Sequence, residues 1–330
     1  MSRPPRLSLP PRGAALVTVM ALIAILASLS VSLAWLGYQA IARIQAQRDA
    51  GQADQLAQAV IDYGRWVLWA DARGTAGGST VMDHLAEPWA QTIPHSRLDQ
   101  LLGAQMSAQD QRQFAAAAIA GSISDEQSKF DLSRVFRTEG GFDPQGRTQV
   151  VRLLSALGLT DSQRDLLLGQ LQGIHAASLA LVVETSPASN SSLVMVSSSP
   201  WVQLQKLLQD SQFLTDSQKR SLENSLTWLS RTGRININTV SAEVLRALWT
   251  GSSSLVDGLI ARRDRIPFRT LAEISSLIPP GTGIDTSFFD TQTSLFRMKG
   301  YAQFGLAETS FIVLVRRSGG KVSVVDRYQP

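Results

Sequence analysis

Residues 13–42 read GAALVTVMALIAILASLSVSLAWLGYQAIA, 30 positions without a charge. Crossing a bilayer takes roughly 20 apolar residues at about 1.5 Å each, so this run is long enough to do so. No Asp or Glu occurs before Asp49, and Arg3, Arg6 and Arg12 precede the run. A basic flank on that side predicts a cytoplasmic leader and an outward-facing body. A cleaved secretory signal carries a shorter apolar core, about 7–15 residues, and a small-residue site behind it. Ala42-Arg43 is a poor site of that kind, whereas a signal anchor fits both length and charge.

The helical spacing continues past the span. Leu56, Val60, Tyr63 and Val67 recur at steps of three and four, as one face of a helix does. One long helix is therefore expected to run from the membrane into a soluble body. Its predicted end is Arg73-Gly74, ahead of the loop at residues 77–79.

Of 330 residues, those beyond the anchor suffice for one large or two modest domains. The formal charge of +4 misleads: 31 Lys+Arg less the three leader Arg leaves 28 against 27 Asp+Glu. Such a balance gives no electrostatic argument for nucleic acid. There is no cysteine, which excludes disulfides, thiolate metal sites and a thiol nucleophile. His84, His95 and His175 show no ligand spacing, and no hydrolase, metalloprotease, nucleotide or dinucleotide motif occurs. No enzymatic activity is expected.

Residues 115–124 and 127–132 read as short strands around Asp125-Glu126, with residues 100–113 polar and helical or irregular. Paired carboxylates can mean acid–base chemistry or a metal; between strands they are expected to be a solvated turn. Residues 150–174 are helical by pattern, broken at Gly158, with Thr160 or Asp161 as the next cap. Residues 201–229 supply more helix, capped by Thr215 or Asp216, and the Ser- and Pro-rich residues 185–200 form a loop.

The segment RININT, residues 234–239, precedes VSAEVL. It predicts a short extended piece and then a helix capped by Thr239 or Ser241, with Glu243 in its first turn and Val244, Leu245 and Leu248 inward. Further helices at 255–263 and around PFRTLAEI, residues 267–274, give a helix-hairpin-helix or SAM-like arrangement. A phosphate-binding hairpin uses a Gly-apolar-Gly turn at a helix N-terminus, but only Gly251 stands in the corresponding stretch. Arg262, Arg263, Arg265 and Arg269, near Asp257, Asp264 and Glu273, are expected to be a solvated face. Residues 294–300, 310–316 and 321–325 then read as three strands, with Gly319-Gly320 as a tight hairpin. The order of elements is α+β.

The leader ending in Arg12-Gly13 ahead of Ala14, the string GSISDEQSKFDLSRVF at residues 121–136, the module ININTVSAEVL at 235–245 and the strand tail resemble the K-type minor pseudopilins of type II secretion. Most pilin-like proteins carry Glu at the fifth mature position, here Thr18, and the K class typically lacks it. The resemblance implies an α+β fold. A pilin-like membrane helix packs on a small antiparallel sheet, with a large inserted helical domain. The implied parts are a leader at 1–13, the membrane part of the helix at 14–42, soluble helix and first pilin-like part at 43–132, inserted helices at 133–290, and completing strands at 291–330. It implies cleavage between Gly13 and Ala14 by a prepilin peptidase and methylation of Ala14. The implied location is a bacterial inner membrane, single-pass, with the body in the periplasm. Implied partners are other minor pseudopilins of the pseudopilus tip, the inner-membrane secretion assembly and membrane lipid; nucleic acid is not expected. Some members of the family hold calcium in the helical domain. Between Gly173 and Pro200 this chain has a single acid, Glu184, whereas calcium takes six to eight oxygens, so no cofactor is expected. The alternative is a membrane-anchored helix-hairpin-helix DNA receptor.

Overall fold

A computed structural model of the chain describes residues 14–74, 82–105, 107–184, 198–229, 233–249, 253–279 and 286–330. Gly13, the loop at 77–79, most of the loop at 185–200 and the turn around Gly251 lie outside the described residues.

Helix α1, Ala14–Asp71, is a single element of 58 residues, about 87 Å at 1.5 Å per residue. Its apolar stretch is exposed along its length from Leu16, and among the described residues it is the one helix long and apolar enough to cross a membrane. The hydroxyls of Ser28, Ser30 and Ser32 donate to the carbonyls of Ile25, Leu26 and Ser28, which removes unpaired donors from an apolar surface. The second half lies on a five-stranded sheet, and Gly64 lets the backbone approach Met298.

The sheet is built from β1 (Ile93–Arg97), β2 (Ala117–Asp125), β7 (Leu295–Phe304), β8 (Ala307–Ser318) and β9 (Lys321–Tyr328), in that spatial order and antiparallel throughout. The three tail strands are present and longer than their sequence pattern. Gly319 and Gly320 join β8 to β9 with φ of +57° and +73°, as a type I′ turn requires. Strand β1 has no signature in the sequence: Pro94 and a register shift between Ile93 and Ser96 hide its alternation. Between β1 and β2 lie α2 (Leu98–Leu102) and α3 (Ala108–Gln113).

Between β2 and β7 the chain builds the helices α4 (Pro144–Ala156), α5 (Asp161–Glu184), α6 (Pro200–Asp210), α7 (Asp216–Ser225), α8 (Ala242–Leu248), α9 (Ser253–Arg265) and α10 (Leu271–Leu277). Two pairs of two-residue parallel strands stitch them together: β3 (Phe130–Asp131) with β4 (Leu226–Thr227), and β5 (Ile235–Asn236) with β6 (Phe289–Asp290). The strand expected at 127–132 thus shrinks to two residues. The preceding Glu126–Ser128 is a turn of 3₁₀-helix started by Asp125, whose side chain accepts from Gln127 N. Thr160 with Gln163, and Thr215 with Gln218, form reciprocal caps. Ser241, not Thr239, caps α8.

Alternation along β8 divides two cores. Phe311, Val313 and Val315 face α1, with Ala57, Ile61, Leu68, Trp89 and Phe296. Ile312 and Leu314 face the other way, into the core of the helical insert.

Candidate functional site

Three places combine unusual burial or exposure with polar chemistry: the outer surface of α1, its clasp to the sheet, and the junction of sheet and insert.

Ala14 opens α1, and Thr18 sits exposed on its first turns. Farther up, the inward face is occupied by Ala57, Ile61 and Leu68, while Tyr63 and Trp66 stand outward, more than half exposed and stacked at 5.8 Å. Trp69 follows on the same side under Arg73, whose guanidinium carbon is 4.0 Å from the ring centroid. These exposed aromatics stand on α1 well above its uncharged run, beyond the polar stretch from Arg43 to Asp62.

The upper end of α1 is fastened by Arg317 of β8. Its Nη1 donates to Asp71 Oδ2 at 2.8 Å, and its Nη2 donates to Asp83 Oδ1 and to Thr293 O. Glu87 stands nearby; its Oε2 accepts from Trp89 Nε1 and His84 N. Burial, with the Glu87 charge next, raises Asp71 to about 6. Asp83 is also raised, by burial first, against the pull of Arg317. Oxygens of Asp71, Asp83 and Glu87 lie within 4.8 Å of one another, a spacing that invites a cation. Asp71 and Asp83 each commit an oxygen to the guanidinium, Asp83 Oδ2 accepts from Thr293 N and Glu87 Oε2 accepts twice, while Asp71 Oδ1 is buried without a hydrogen-bond partner. The cluster lies outside the helical insert.

At the junction, the expected solvated turn is corrected. Asp125 is 2% and Glu126 0% exposed. Asp125 Oδ2 accepts from Thr239 Oγ1 at 2.5 Å and Thr293 Oγ1 at 2.6 Å, and burial still raises its pKa to about 6. Glu126 Oε1 accepts from Trp201 Nε1 at 2.9 Å and Thr227 Oγ1 at 2.8 Å; Oε2 accepts from Lys129 Nζ at 2.6 Å. Burial alone would raise Glu126, but the Lys129 and Arg297 charges outweigh it and hold the carboxyl below its usual value. Burial and the nearby Arg297 push Lys129 down to about 8. Arg297 continues to Glu223 of α7 at 3.1 Å. Buried charges persist only when paired and hydrogen-bonded, and here the partners are Lys129 just after the turn, Thr227 of β4, Arg297 of β7, Trp201 of α6 and Glu223 of α7, with Thr239 and Thr293 from connecting segments. These carboxylates hold two parts of the molecule together; they do not form an open acid–base site.

The basic cluster on α9 is divided. Arg263 turns inward and donates to Ile237 O at 2.8 Å and Val240 O at 2.5 Å. Arg262 pairs with Glu273 at 3.6 Å. Arg265 and Arg269 are exposed. The three histidines have separate surroundings: His84 Nδ1 accepts from Ala86 N, His95 lies by Tyr301, and His175 stacks on Phe136.

The module from β5 through the first residue of β7 contains the buried Asn236 and Asn238. Residues 235–295 match the family of type II secretion system protein K. The whole fold is similar to a chain in the crystal structure of the GspK–GspI–GspJ complex from the enterotoxigenic Escherichia coli type 2 secretion system. The similarity has a TM-score of 0.51 at 16% identity and covers 87% of this chain and 99% of that one. No curated protein matches in sequence. The family match is confined to this segment, and what the chain shares with the solved structure is the α+β architecture of a long helix on an antiparallel sheet with a helical insert.

The protein K module is also where side-chain amides tie the fold together. Asn236 Nδ2 donates to Asp83 O and Thr293 Oγ1, and Asn238 exchanges two bonds with the Phe268 backbone. The alternation of Ile and Asn in RININT is legible as an extended segment. Its asparagines as bridges between sheet and insert are not, because their partners are 30 to 153 residues away.

Proposed function

We propose that this chain is a non-enzymatic minor pseudopilin at the tip of a type II secretion pseudopilus, supporting protein export across the outer membrane. The observation that carries this reading is α1. It is one unbroken helix whose lower half is an unpartnered apolar rod and whose upper half is packed on a sheet yet presents Tyr63 and Trp66 outward. Such a helix suits insertion in the inner membrane with the body in the periplasm, and later lateral packing against the helices of other minor pseudopilins. The similar solved chain comes from a GspK–GspI–GspJ complex, and other minor pseudopilins of that kind are the proposed partners. Thr18 leaves the fifth mature position without a carboxylate. A subunit that offers no charge to a neighbour's terminal amine above it fits the end of a filament, and the bulky insert fits there too. No cofactor is part of the proposal.

The proposal includes removal of residues 1–13 by a prepilin peptidase and methylation of Ala14. Intact-mass and N-terminal peptide measurement of membrane-extracted protein, with and without that peptidase, tests it. A peptidase-dependent chain beginning at Ala14 is expected. An intact Met1 leader in both samples would overturn the pseudopilin reading and favour the anchored DNA receptor, whose duplex affinity would fall steeply with salt.

A further inference from the structure

The contacts of α1 fix which end of the sheet faces the membrane, given the anchor proposed above, on which this inference rests. Going up the helix, Asp49 lies against Gly305, where an added Cβ would stand 2.6 Å from Asp49 Oδ2. Asp54 accepts from Thr309 at 2.8 Å, and Asp71 accepts from Arg317 at 2.8 Å. Helix α1 and β8 therefore run side by side in the same direction, and the β7–β8 turn points back toward the span. Ala117 pairs with Phe304, and Arg97 with Ala118, so α2 leaves the sheet at that same end.

This lower rim carries three exposed leucines: Leu101 and Leu102 on α2, and Leu306 at the turn. Gly305, with φ of +60°, takes the first position of a two-residue turn and leaves Leu306 at its tip. At 97%, Leu306 is the most exposed large apolar side chain among the described residues. Acidic and basic groups alternate around the rim, with Arg48 beside Asp49, Arg97 paired to Asp99 at 2.6 Å, and Asp110 and Arg112 on α3. Its apolar side chains, not a net charge, set what it can contact.

From Ala42 to Asp49 the helix rises about 10 Å. The uncharged run is about 45 Å long, against roughly 30 Å of hydrocarbon. A helix longer than the hydrocarbon accommodates by tilting, about 20° on average, and tilt lowers one side of the body toward the headgroups. We propose that the rim formed by Leu306, Leu101 and Leu102 rests on the lipid surface of the bilayer that holds α1. Apolar side chains inserted at the headgroup boundary stabilise such a contact, and this contact selects the direction in which α1 tilts. The same three leucines must leave the lipid when the subunit is extracted into a filament.

The absence of cysteine allows a clean test. Leu306→Cys, Leu29→Cys and Ser318→Cys, each labelled with an environment-sensitive fluorophore, are made in the full chain. They are reconstituted in phosphatidylethanolamine–phosphatidylglycerol vesicles with a nitroxide lipid as quencher. The labels at 29 and 306 are expected to shift to the blue and lose intensity to the quencher. The label at 318, on the opposite end of β8, is expected to stay in water. Quenching at 29 without quenching at 306 overturns the rim contact and leaves the anchor standing. No quenching at 29 overturns the anchor as well. Equal quenching at 306 and 318 overturns the orientation of the sheet, with its β7–β8 turn toward the membrane.

Discussion

The indole of Trp201 donates to Glu126 Oε1 at 2.9 Å across 75 residues of sequence. The bond joins α6 of the helical insert to the turn that leaves the sheet. Because Glu126 also neutralises Lys129 and lies near Arg297, one buried carboxylate holds hydrophobic packing, two hydrogen bonds and an ion pair in register.

Glu126→Gln keeps acceptors for Trp201 and Thr227 but removes the anion facing Lys129 and Arg297. Breaking a buried pair on one side costs about 3–5 kcal/mol. Urea unfolding of the detergent-solubilised chain at pH 7 should show a loss of that order. A loss under about 1 kcal/mol, as for a surface pair, would mean that water reaches the junction.

Asp71 has a folded pKa of about 6 against an ordinary 3.8. Between these values the folded state holds a proton that the unfolded state releases, so this group lowers stability as pH rises from about 4 to 6. Asp71→Asn cannot titrate and should reduce that downward slope. Asp125, also raised to about 6, retains its own share. Unfolding midpoints taken across pH 4–8 decide the point, and identical slopes in the two proteins would show that Asp71 is not the group responsible.

Gly146→Ala and Gly169→Ala should have opposite effects. At Gly146 a Cβ would meet Arg134 O at 2.3 Å and Val135 Cα at 2.9 Å, both backbone atoms, and overpacking of this kind costs about 1–3 kcal/mol. At Gly169, within α5, nothing lies within 4 Å, and alanine should stabilise the helix by roughly 0.8–1 kcal/mol. Paired thermal melts read both signs at once.

Thr18→Glu should be tolerated in α1, because most pilin-like proteins carry Glu at the fifth mature position of the same apolar helix, yet it should alter how the subunit is incorporated at a filament tip. Crosslinking to the other minor pseudopilins, together with an export assay, measures this. Export and crosslinks identical to those of the unaltered protein would remove the argument that a missing carboxylate marks the terminal position.

What the sequence made legible is what is local. Reciprocal caps at Thr160 and Thr215, the helix break at Gly158 and the Gly319-Gly320 turn each depend on residues within a few positions. The uncharged run did not need tertiary structure to be read. The buried pair Asp125-Glu126 could not be read in this way, because the groups that satisfy it (Trp201, Thr227, Thr239 and Thr293) lie 75 to 168 residues downstream. Two-residue strands such as Ile235–Asn236 have no periodicity to detect, and β1 is disguised by Pro94. Arg263 shows the same limit: its inward bonds to Ile237 and Val240 depend on how α9 docks, which charge patterning along the helix does not encode.

The helical insert leaves the sheet after Asp125 and returns at Leu295, and Asp125 pairs with Phe296 across adjacent strands. Its entry and exit are thus side by side. A pulling force applied along α1 passes by shear into β7 and β8, through contacts from Asp49 to Asp71, without stretching the chain of the insert. The insert is mechanically a side load: it can hold its shape, and whatever surface it presents, while the rod beneath it is under tension.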